Sequence, residues 1–333
     1  MRKALLATLV MGALAAPAFA EGTVTVYGQM NVGVVFHDEG PVTKTKVDNL
    51  YTSSRLGFKG DENLGDGLKA FWQIEQGLRP DDAATTNFAS REGWVGLQGD
   101  FGKVGLGRGK TPYTNMVDWF DIFDGAIGAA ATASYSVDSI QDSRFSNAVR
   151  YDSPNLGGVN LSGMYSFGEN KTSTTGSSDG FSGLASYSNG PIKAGLSYGQ
   201  QRNLAGVSGN KKSAWQIGGI YTLGDLGLGL AYQAGEWRTA GVDFDRDTIT
   251  TTVTYKIGAG TLRAGAQFAA EADVAGKSAA DSDFTRYAIG YKHGLSKRTY
   301  ALVEYSALSA DKSITGAAVA DQRGLAVGLM HTF

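Results

Sequence analysis

Seven charged side chains of this sequence could act together, four of them from arginines and three from aspartates. They are Arg55, Arg91, Arg144 and Arg150, together with Asp118, Asp121 and Asp124. An arginine stays protonated in proteins, so closely stacked arginines must be offset by carboxylates or by water. Such a group makes or breaks no bonds, but it sets up an electric field that acts on ions and dipoles. The candidate chemistry is therefore electrostatic.

Residues for covalent, metal or phosphate chemistry are scarce. The sequence contains no cysteine, which excludes disulfides, cysteine nucleophiles and cysteine metal sites. A hydrolase needs a histidine close to a serine and a carboxylate, but His37, His293 and His331 have no nucleophile motif around them. Residues 107–111, GRGKT, resemble a phosphate-binding loop, but Val104 stands where its first glycine is required. We predict no catalytic residue, no metal site and no cofactor.

The overall charge is nearly balanced. The chain has 30 Lys and Arg against 32 Asp and Glu residues, which is not the basic surface that nucleic acids require. We predict no nucleic-acid partner.

Two acidic groups lie in or beside predicted loops, Asp81 with Asp82 and Asp243 with Asp245 and Asp247. They could hold a divalent cation weakly, but solvated loop charge is the simpler interpretation.

Short runs in which every second residue is apolar must position the arginines. In one run, Leu226, Leu228, Leu230 and Tyr232 alternate with small or polar residues. Successive side chains of a β-strand point to opposite faces, so each run has one apolar face. We predict strands at 23–36, 49–60, 67–78, 89–98, 103–110, 144–152, 158–167, 180–189, 191–201, 211–222, 226–237, 245–257, 260–271, 282–292, 298–308 and 322–333. The fold class is all-β, and these sixteen strands suit a closed antiparallel barrel.

The apolar faces could form a soluble core or the outer wall of a transmembrane barrel. Short and long connections alternate along the chain, which is typical of membrane barrels. The chain has 47 glycines but only 6 prolines, as expected for long strands that cannot lose ladder hydrogen bonds. If Leu56 and Phe58 face lipid, Arg55 faces the lumen, because an arginine on the lipid side costs roughly 2–4 kcal/mol. We therefore predict a transmembrane barrel.

The same alternation orients the other arginines. It places Trp94 outward and Arg91 inward in the fourth predicted strand. In the sixth, an outward Val149 places Arg144 and Arg150 inward. These strands form a basic wall on the inside of the barrel.

One connection, at residues 111–143, is much longer than the others. Beside its three aspartates it carries Trp119, Phe120 and Phe123 and an alanine-rich stretch at 126–133. Loops of this length are usually functional or disordered, and the aromatic residues argue against disorder. It could be a surface loop with a short helix, or it could fold into the lumen and narrow the passage. We predict the second arrangement.

The first twenty residues have the pattern of a secretory leader. A basic start at Arg2 and Lys3 precedes an apolar segment at 4–16, and Ala18-Phe19-Ala20 is a small-x-small cleavage site. The apolar segment is shorter than the ~20 residues needed to span a bilayer. We predict a signal peptide at 1–20 and one barrel domain at 21–333.

Eight motifs, in this order and spacing, resemble the trimeric general porins of Gram-negative outer membranes, especially the beta-proteobacterial and neisserial branch. The resemblance covers nearly all of the mature chain. The motifs are VTVYG at 24–28, SRLGFKGDENLG at 54–65, LKAFWQIE at 68–75, WVGL at 94–97, FGKVGLGR at 101–108, RFSNAVRY at 144–151, LSKRT at 295–299 and VGLMHTF at 327–333.

The resemblance implies a homotrimer in the outer membrane, in contact with lipid and lipopolysaccharide, through which ions and small hydrophilic solutes diffuse. It implies that Phe333 belongs to the signal read by the outer-membrane assembly machinery. In this family a ladder of basic wall residues faces acidic residues on an inward third long loop. Arg55, Arg91 and Arg144 stand at the matching motif positions. Gln29 is neutral where some relatives carry a lysine.

The loop departs from the family pattern, because the usual Pro-Glu-Phe-Gly stretch is missing. The sequence therefore does not decide which of the three aspartates face the lumen. We expect a general diffusion porin with a weak anion preference. The alternatives are an outer-membrane barrel enzyme, a lipase or protease, and a substrate-selective porin. The barrel enzyme lacks the histidine–serine–acid set that its chemistry requires, and the substrate-selective porin would need more aromatic residues in the lumen than Tyr27 and Phe71.

Overall fold

The computed structural model describes residues 22–38, 42–50, 52–82, 87–124, 144–169, 171–172, 176–313 and 321–333. The leader predicted at 1–20 lies outside these residues, and so does the part of the long connection at 125–143, including its alanine-rich stretch. Within the described part, no helix is long and apolar enough to cross a membrane.

In the described ranges, nineteen strand segments, each antiparallel to its neighbours, form one sheet. They are β1 (Thr23–Asp38), β2 (Thr43–Asn49), β3 (Arg55–Gly65), β4 (Leu68–Gly77), β5 (Glu92–Gly99), β6 (Gly102–Lys110), β7 (Arg144–Asp152), β8 (Val159–Ser166), β9 (Gly180–Asn189), β10 (Ile192–Arg202), β11 (Lys211–Leu223), β12 (Leu226–Thr239), β13 (Val242–Ile257), β14 (Gly260–Ala269), β15 (Asp273–Val274), β16 (Lys277–Ser278), β17 (Phe284–Gly294), β18 (Thr299–Ala310) and β19 (Gln322–Thr332). A short helix, α1 (Pro112–Val117), follows β6.

The sheet closes into the predicted sixteen-stranded barrel. The closing pair is β1 with β19, in a register that runs from Gln29↔Thr332 to Asp38↔Arg323. Both β2 and β3 pair with β1, so they are two halves of one barrel strand. The remaining two segments, β15 and β16, form a small hairpin that pairs with the beginning of β13. The fold predicted from the alternating pattern is confirmed.

The break between β2 and β3 differs from the predicted single strand at 49–60. Leu50 leaves the strand and is buried at 2 % exposure against Val35, Leu302 and Ala326. Its Cδ1 would lie 2.4 Å from a Cβ added at Gly328, so the absence of a side chain there makes room for it. Burial of this leucine inside the barrel explains why the ladder is interrupted between β2 and β3.

The two faces of the barrel wall have opposite character. Large apolar side chains are exposed on the outer face, as Leu230, Val95 and Leu329 are, each with more than half of its surface accessible. A continuous apolar exterior of this kind is unfavourable in water and suits a lipid bilayer. The inner face carries polar, charged and glycine residues, with Gln216, Gln267 and Arg286 nearly fully buried. The inside-out arrangement predicted from the alternation is present.

The long connection turns into the lumen, as predicted, over its described part at 111–124. It begins with α1, whose N-cap Thr111 accepts a hydrogen bond from Thr114 N through Oγ1 at 3.1 Å. Beyond the helix, Phe120 packs on Ala231 of β12 and Phe123 packs on Ala288 of β17. The segment therefore crosses the inner wall from β6 towards the opposite side of the barrel.

Glycines on the wall make room for this crossing. A Cβ added at Gly195 would lie 2.9 Å from Trp119 Cη2, and one at Gly265 would lie 3.2 Å from Phe123 Cε2. Since contacts this short are rarely tolerated, the loop can lie flat on the wall only where the wall lacks side chains. The glycines of the inner face are thus part of what folds the loop inward.

Candidate functional site

Three of the predicted arginines lie around one cavity of about 310 Å³ inside the barrel. Arg55 is the first residue of β3, Arg91 immediately precedes β5, and Arg144 is the first residue of β7. All three side chains line the cavity. The structure therefore brings together three residues that are far apart in the sequence.

Two glutamates behind the arginines hold them in place. Arg91 Nε donates to Glu75 Oε1 at 2.6 Å, and Arg55 Nε lies 3.8 Å from Glu75 Oε2. Arg144 Nε lies 4.0 Å from Glu92 Oε1. The Glu75 side chain is 9 % exposed, against 27 % for Arg55 and 20 % for Arg91. Water in the cavity therefore meets mainly the guanidinium groups.

The opposite side of the cavity is formed by the inward loop. Asp118, Asp121 and Asp124 all line it, so the three predicted aspartates lie in the same space as the arginines. Lys110 Nζ donates to Asp118 Oδ2 at 2.6 Å. Guanidinium groups on the wall and carboxylates on the loop produce a field across the passage rather than along it.

Asp124 also fixes the loop to the far wall. Its Oδ2 accepts from Arg263 Nη1 at 2.7 Å and from Lys292 Nζ at 2.8 Å. Arg263 also donates to Glu304, and Glu304 Oε1 accepts from Asp124 N at 3.2 Å. Burial by itself would raise the pKa of Asp124, but the charges of Arg263 and Lys292 outweigh it and keep that pKa below its usual value. We call these four residues the latch.

The backbone of the loop is held as firmly as its side chains. Asp124 O accepts from Thr52 N at 3.0 Å and from Asn31 Nδ2 at 3.0 Å. Gln29, predicted to lie at the constriction, is 3 % exposed and donates through Nε2 to Thr52 O at 2.6 Å. Gln29 thus supports the break between β2 and β3, where Thr52 and Ser53 line the cavity.

Arg150 lies apart from the other three arginines. Its Nε donates to Asp152 Oδ2 at 2.9 Å, and its Nη1 donates to Lys110 O at 3.0 Å. It lines a neighbouring, smaller cavity rather than the one that contains Arg55. Its charge is therefore matched within its own strand.

The outward placement of Trp94 is wrong. Trp94 Nε1 donates to Glu92 Oε2 at 2.7 Å, and its ring contacts the buried cluster of Phe145, Ala148 and Met164 inside the barrel. The predicted orientation of Trp94 was tied by alternation to that of Arg91, but Arg91 lies before the first residue of β5. Alternation holds only within a continuous strand, so it did not apply across this boundary.

Sequence reasoning missed the latch residues Arg263, Lys292 and Glu304. Lys110 anchors the loop through Asp118 and also lines the cavity. One sequence signal could have identified Arg263: in the predicted strand at 260–271 it alternates with Leu262, Ala264 and Phe268, which places Arg263 inside.

Phe333 lies at the seam where the barrel closes. Its backbone N donates to Gly28 O at 3.1 Å, and Gly28 N donates to Phe333 O at the same distance. A Cβ added at Gly28 would lie 2.6 Å from Phe333 Cζ, so the ring packs directly on this glycine. The role of Phe333 as an assembly signal stays a prediction.

Comparisons with known proteins agree with this architecture. A family model described as Gram-negative porin matches residues 7–313. The outer membrane porin protein 32 of Delftia acidovorans is 30% identical over 358 residues, covering 100% of both chains. The major outer membrane protein P.IB of Neisseria lactamica is 29% identical over 351 residues, again covering 100% of both chains.

Solved structures show the same fold. The anion-selective porin from Comamonas acidovorans superposes with a TM-score of 0.81 at 26% identity, covering 94% of this chain and 100% of that one. The trimer form of OmpT from Vibrio cholerae reaches 0.73 at 18% identity, covering 94% of this chain and 99% of that one, and supports the fold alone. A closed barrel, an inward loop and a family match over residues 7–313 lead to one conclusion: this chain belongs to the Gram-negative porin family.

Proposed function

We propose that this chain is a general diffusion porin whose constriction lies between Arg55, Arg91 and Arg144 on the wall and Asp118 and Asp121 on the loop. The observation that carries the proposal is the single cavity, of about 310 Å³, that all five side chains line inside a closed barrel. The barrel carries ions and small hydrophilic solutes down their gradients, and it catalyses no reaction.

The transverse field explains why polar solutes pass. A polar solute aligns its dipole between the guanidinium and carboxylate groups and so recovers part of the solvation that it loses in the narrow passage. An apolar solute displaces ordered water without such compensation. The constriction therefore selects against apolar molecules without binding any one solute strongly.

The channel prefers anions weakly. The arginines are more accessible to water than the Glu75 carboxylate behind them. Further lumen lysines, Lys59, Lys103 and Lys193, lie over the Tyr27, Phe71 and Trp119 rings on the same inner surface. A similar solved porin from Comamonas acidovorans is described as anion-selective, which agrees with this sign.

The barrel functions as a homotrimer in the outer membrane, with its apolar face against lipid and lipopolysaccharide. It arrives there after export through the leader at 1–20 and insertion by an assembly machinery that reads Phe333. The exposed apolar outer face supports the contact with lipid, and the similarity to porins that form trimers supports the homotrimer. A lipase or protease on the same fold is not favoured by the family match.

Reconstitution tests the proposed function. Purified protein in a planar bilayer should produce stepwise conductance, and in a tenfold KCl gradient the reversal potential should have the sign of chloride preference. In liposome swelling, arabinose should enter faster than sucrose, and protein-free liposomes should admit neither. A bilayer that stays electrically silent, or equal swelling rates for all sugars, would contradict the proposal.

A further inference from the structure

A second, smaller cavity lies in the lumen between the constriction and the end of the barrel that carries the short turns. Its volume is about 160 Å³, and Phe71, Trp94, Lys103 and Arg150 are among its lining residues. Lys103 is seven residues before Lys110 on β6, which corresponds to about 23 Å along the strand at ~3.3 Å per residue. A solute that has passed the constriction meets this cavity next.

The Trp94 ring is held in one orientation. Its indole Nε1 donates to Glu92 Oε2 at 2.7 Å. A Cβ added at Gly109 would lie 2.5 Å from Trp94 Nε1, and one at Gly105 would lie 3.3 Å from Trp94 Cε3. The ring therefore lies against bare backbone and is fixed at its polar end. A rigid aromatic surface loses little conformational entropy when a second ring packs on it.

The positive charge available to a ligand is that of Lys103. Arg150 is already bound to Asp152, which also accepts from Ser162 Oγ at 2.7 Å. The Lys103 ammonium lies 4.0 Å from the centroid of the Phe71 ring, within the range of a cation–π contact. A cation held on an aromatic face keeps donors free for an anion.

We propose that this cavity is a binding subsite for small aromatic monocarboxylates, with the carboxylate on Lys103 and the ring against Trp94. The volume suits a single six-membered ring with one substituent. Glu92 and Asp152 line the same cavity, so a doubly charged anion such as phosphate is disfavoured there. The proposal rests on the proposed function, because the ligand reaches the cavity by diffusing through the pore.

The subsite gives the channel a preference that the constriction does not supply. A weak binding site in a pore raises the local concentration of its solute and favours its passage at low external concentrations, provided that the solute still leaves readily. The arrangement therefore predicts that benzoate-like anions bind in the lumen more strongly than aliphatic anions of equal charge.

Single-channel recording with added ligand tests the subsite. Potassium benzoate should lower the chloride conductance with a saturating dose dependence, whereas potassium acetate should lower it at least fivefold less effectively. Cyclohexanecarboxylate, which has the size of benzoate but no aromatic ring, should lie between them. Lys103→Gln and Trp94→Leu should each weaken benzoate block at least fivefold.

Lys59→Gln is the matched control, because it removes the same charge from another lumen lysine that lies over Tyr27 rather than in this cavity. It should change benzoate block less than twofold. An equal effect of Lys59→Gln and Lys103→Gln would overturn the proposal in favour of long-range attraction. Equal block by acetate and benzoate in the unmodified protein would overturn it without any variant. Absence of conductance before ligand is added would instead contradict the proposed function.

Discussion

Replacing Arg55, Arg91 and Arg144 together by glutamine changes the channel from anion-preferring to cation-preferring. Glu75 and Glu92 lose the guanidinium groups that lie beside them, and the loop aspartates then face a wall without compensating charge. The field in the passage becomes negative, and cations accumulate there. We expect the chloride-to-potassium permeability ratio to fall by at least about tenfold, which corresponds to ~1.4 kcal/mol. The reversal potential in a tenfold KCl gradient should change sign.

The control for this variant is Arg238→Gln. Arg238 belongs to the exposed tip of the β12–β13 hairpin, where it pairs with Asp243, and it lies outside the cavity. Removing its charge should leave the reversal potential within a few millivolts of the unmodified protein. If the triple variant keeps its chloride preference, or if Arg238→Gln shifts it as strongly, the three arginines do not set the selectivity.

Replacing Arg263 by methionine should release the inward loop and raise the single-channel conductance. Arg263 is bound to both Asp124 and Glu304, whose side chains are 13% and 0% exposed. Removing one partner of a buried ion pair costs about 3–5 kcal/mol, because the carboxylates that it neutralised stay buried with less compensation. The loop can relieve this cost by leaving the wall. We expect a larger conductance, more current noise and a lower temperature of thermal denaturation.

Two further variants separate the latch from a general loss of stability. Adding Glu304→Gln to Arg263→Met removes the more deeply buried of the two carboxylates that lose Arg263 and should restore part of the thermal stability. Lys312→Met breaks the exposed pair with Asp281, and an exposed pair contributes little to stability because water and salt screen it. It should change neither conductance nor denaturation temperature. Conductance that is unchanged in the Arg263→Met variant would show that the latch does not hold the loop in the passage.

The barrel could be predicted from the sequence because its physical cause is local. Each strand needs one apolar face and one polar face, and this requirement repeats every second residue. The orientation of Arg55 follows from Leu56 and Phe58 beside it, since an arginine in lipid is costly. The inward loop could be predicted in outline for the same reason, because aromatic residues such as Phe120 and Phe123 need an apolar surface to pack on.

The remaining details depend on contacts between distant parts of the chain. Asp124 and Arg263 are separated by 139 residues, and Asp124 and Glu304 by 180, so no local pattern marks the latch. The break between β2 and β3 depends on the fit of Leu50 against Gly328. Between β6 and β7 the register shifts after Gly107, where Asn147 has a φ of 51°, so simple alternation fails there as well.

Chemical accessibility of single cysteines tests the central claim, that water and ions pass between the loop and the arginine wall. The natural sequence has no cysteine, so one introduced thiol is unique. A charged, water-soluble thiosulfonate should reduce the single-channel conductance of Asp118→Cys, because Asp118 lines the cavity. It should leave the conductance of Leu230→Cys unchanged, because Leu230 is exposed on the outer face. The claim is contradicted if the conductance of Asp118→Cys stays unchanged although mass spectrometry shows that its thiol is modified. It is also contradicted if the conductance of Leu230→Cys falls.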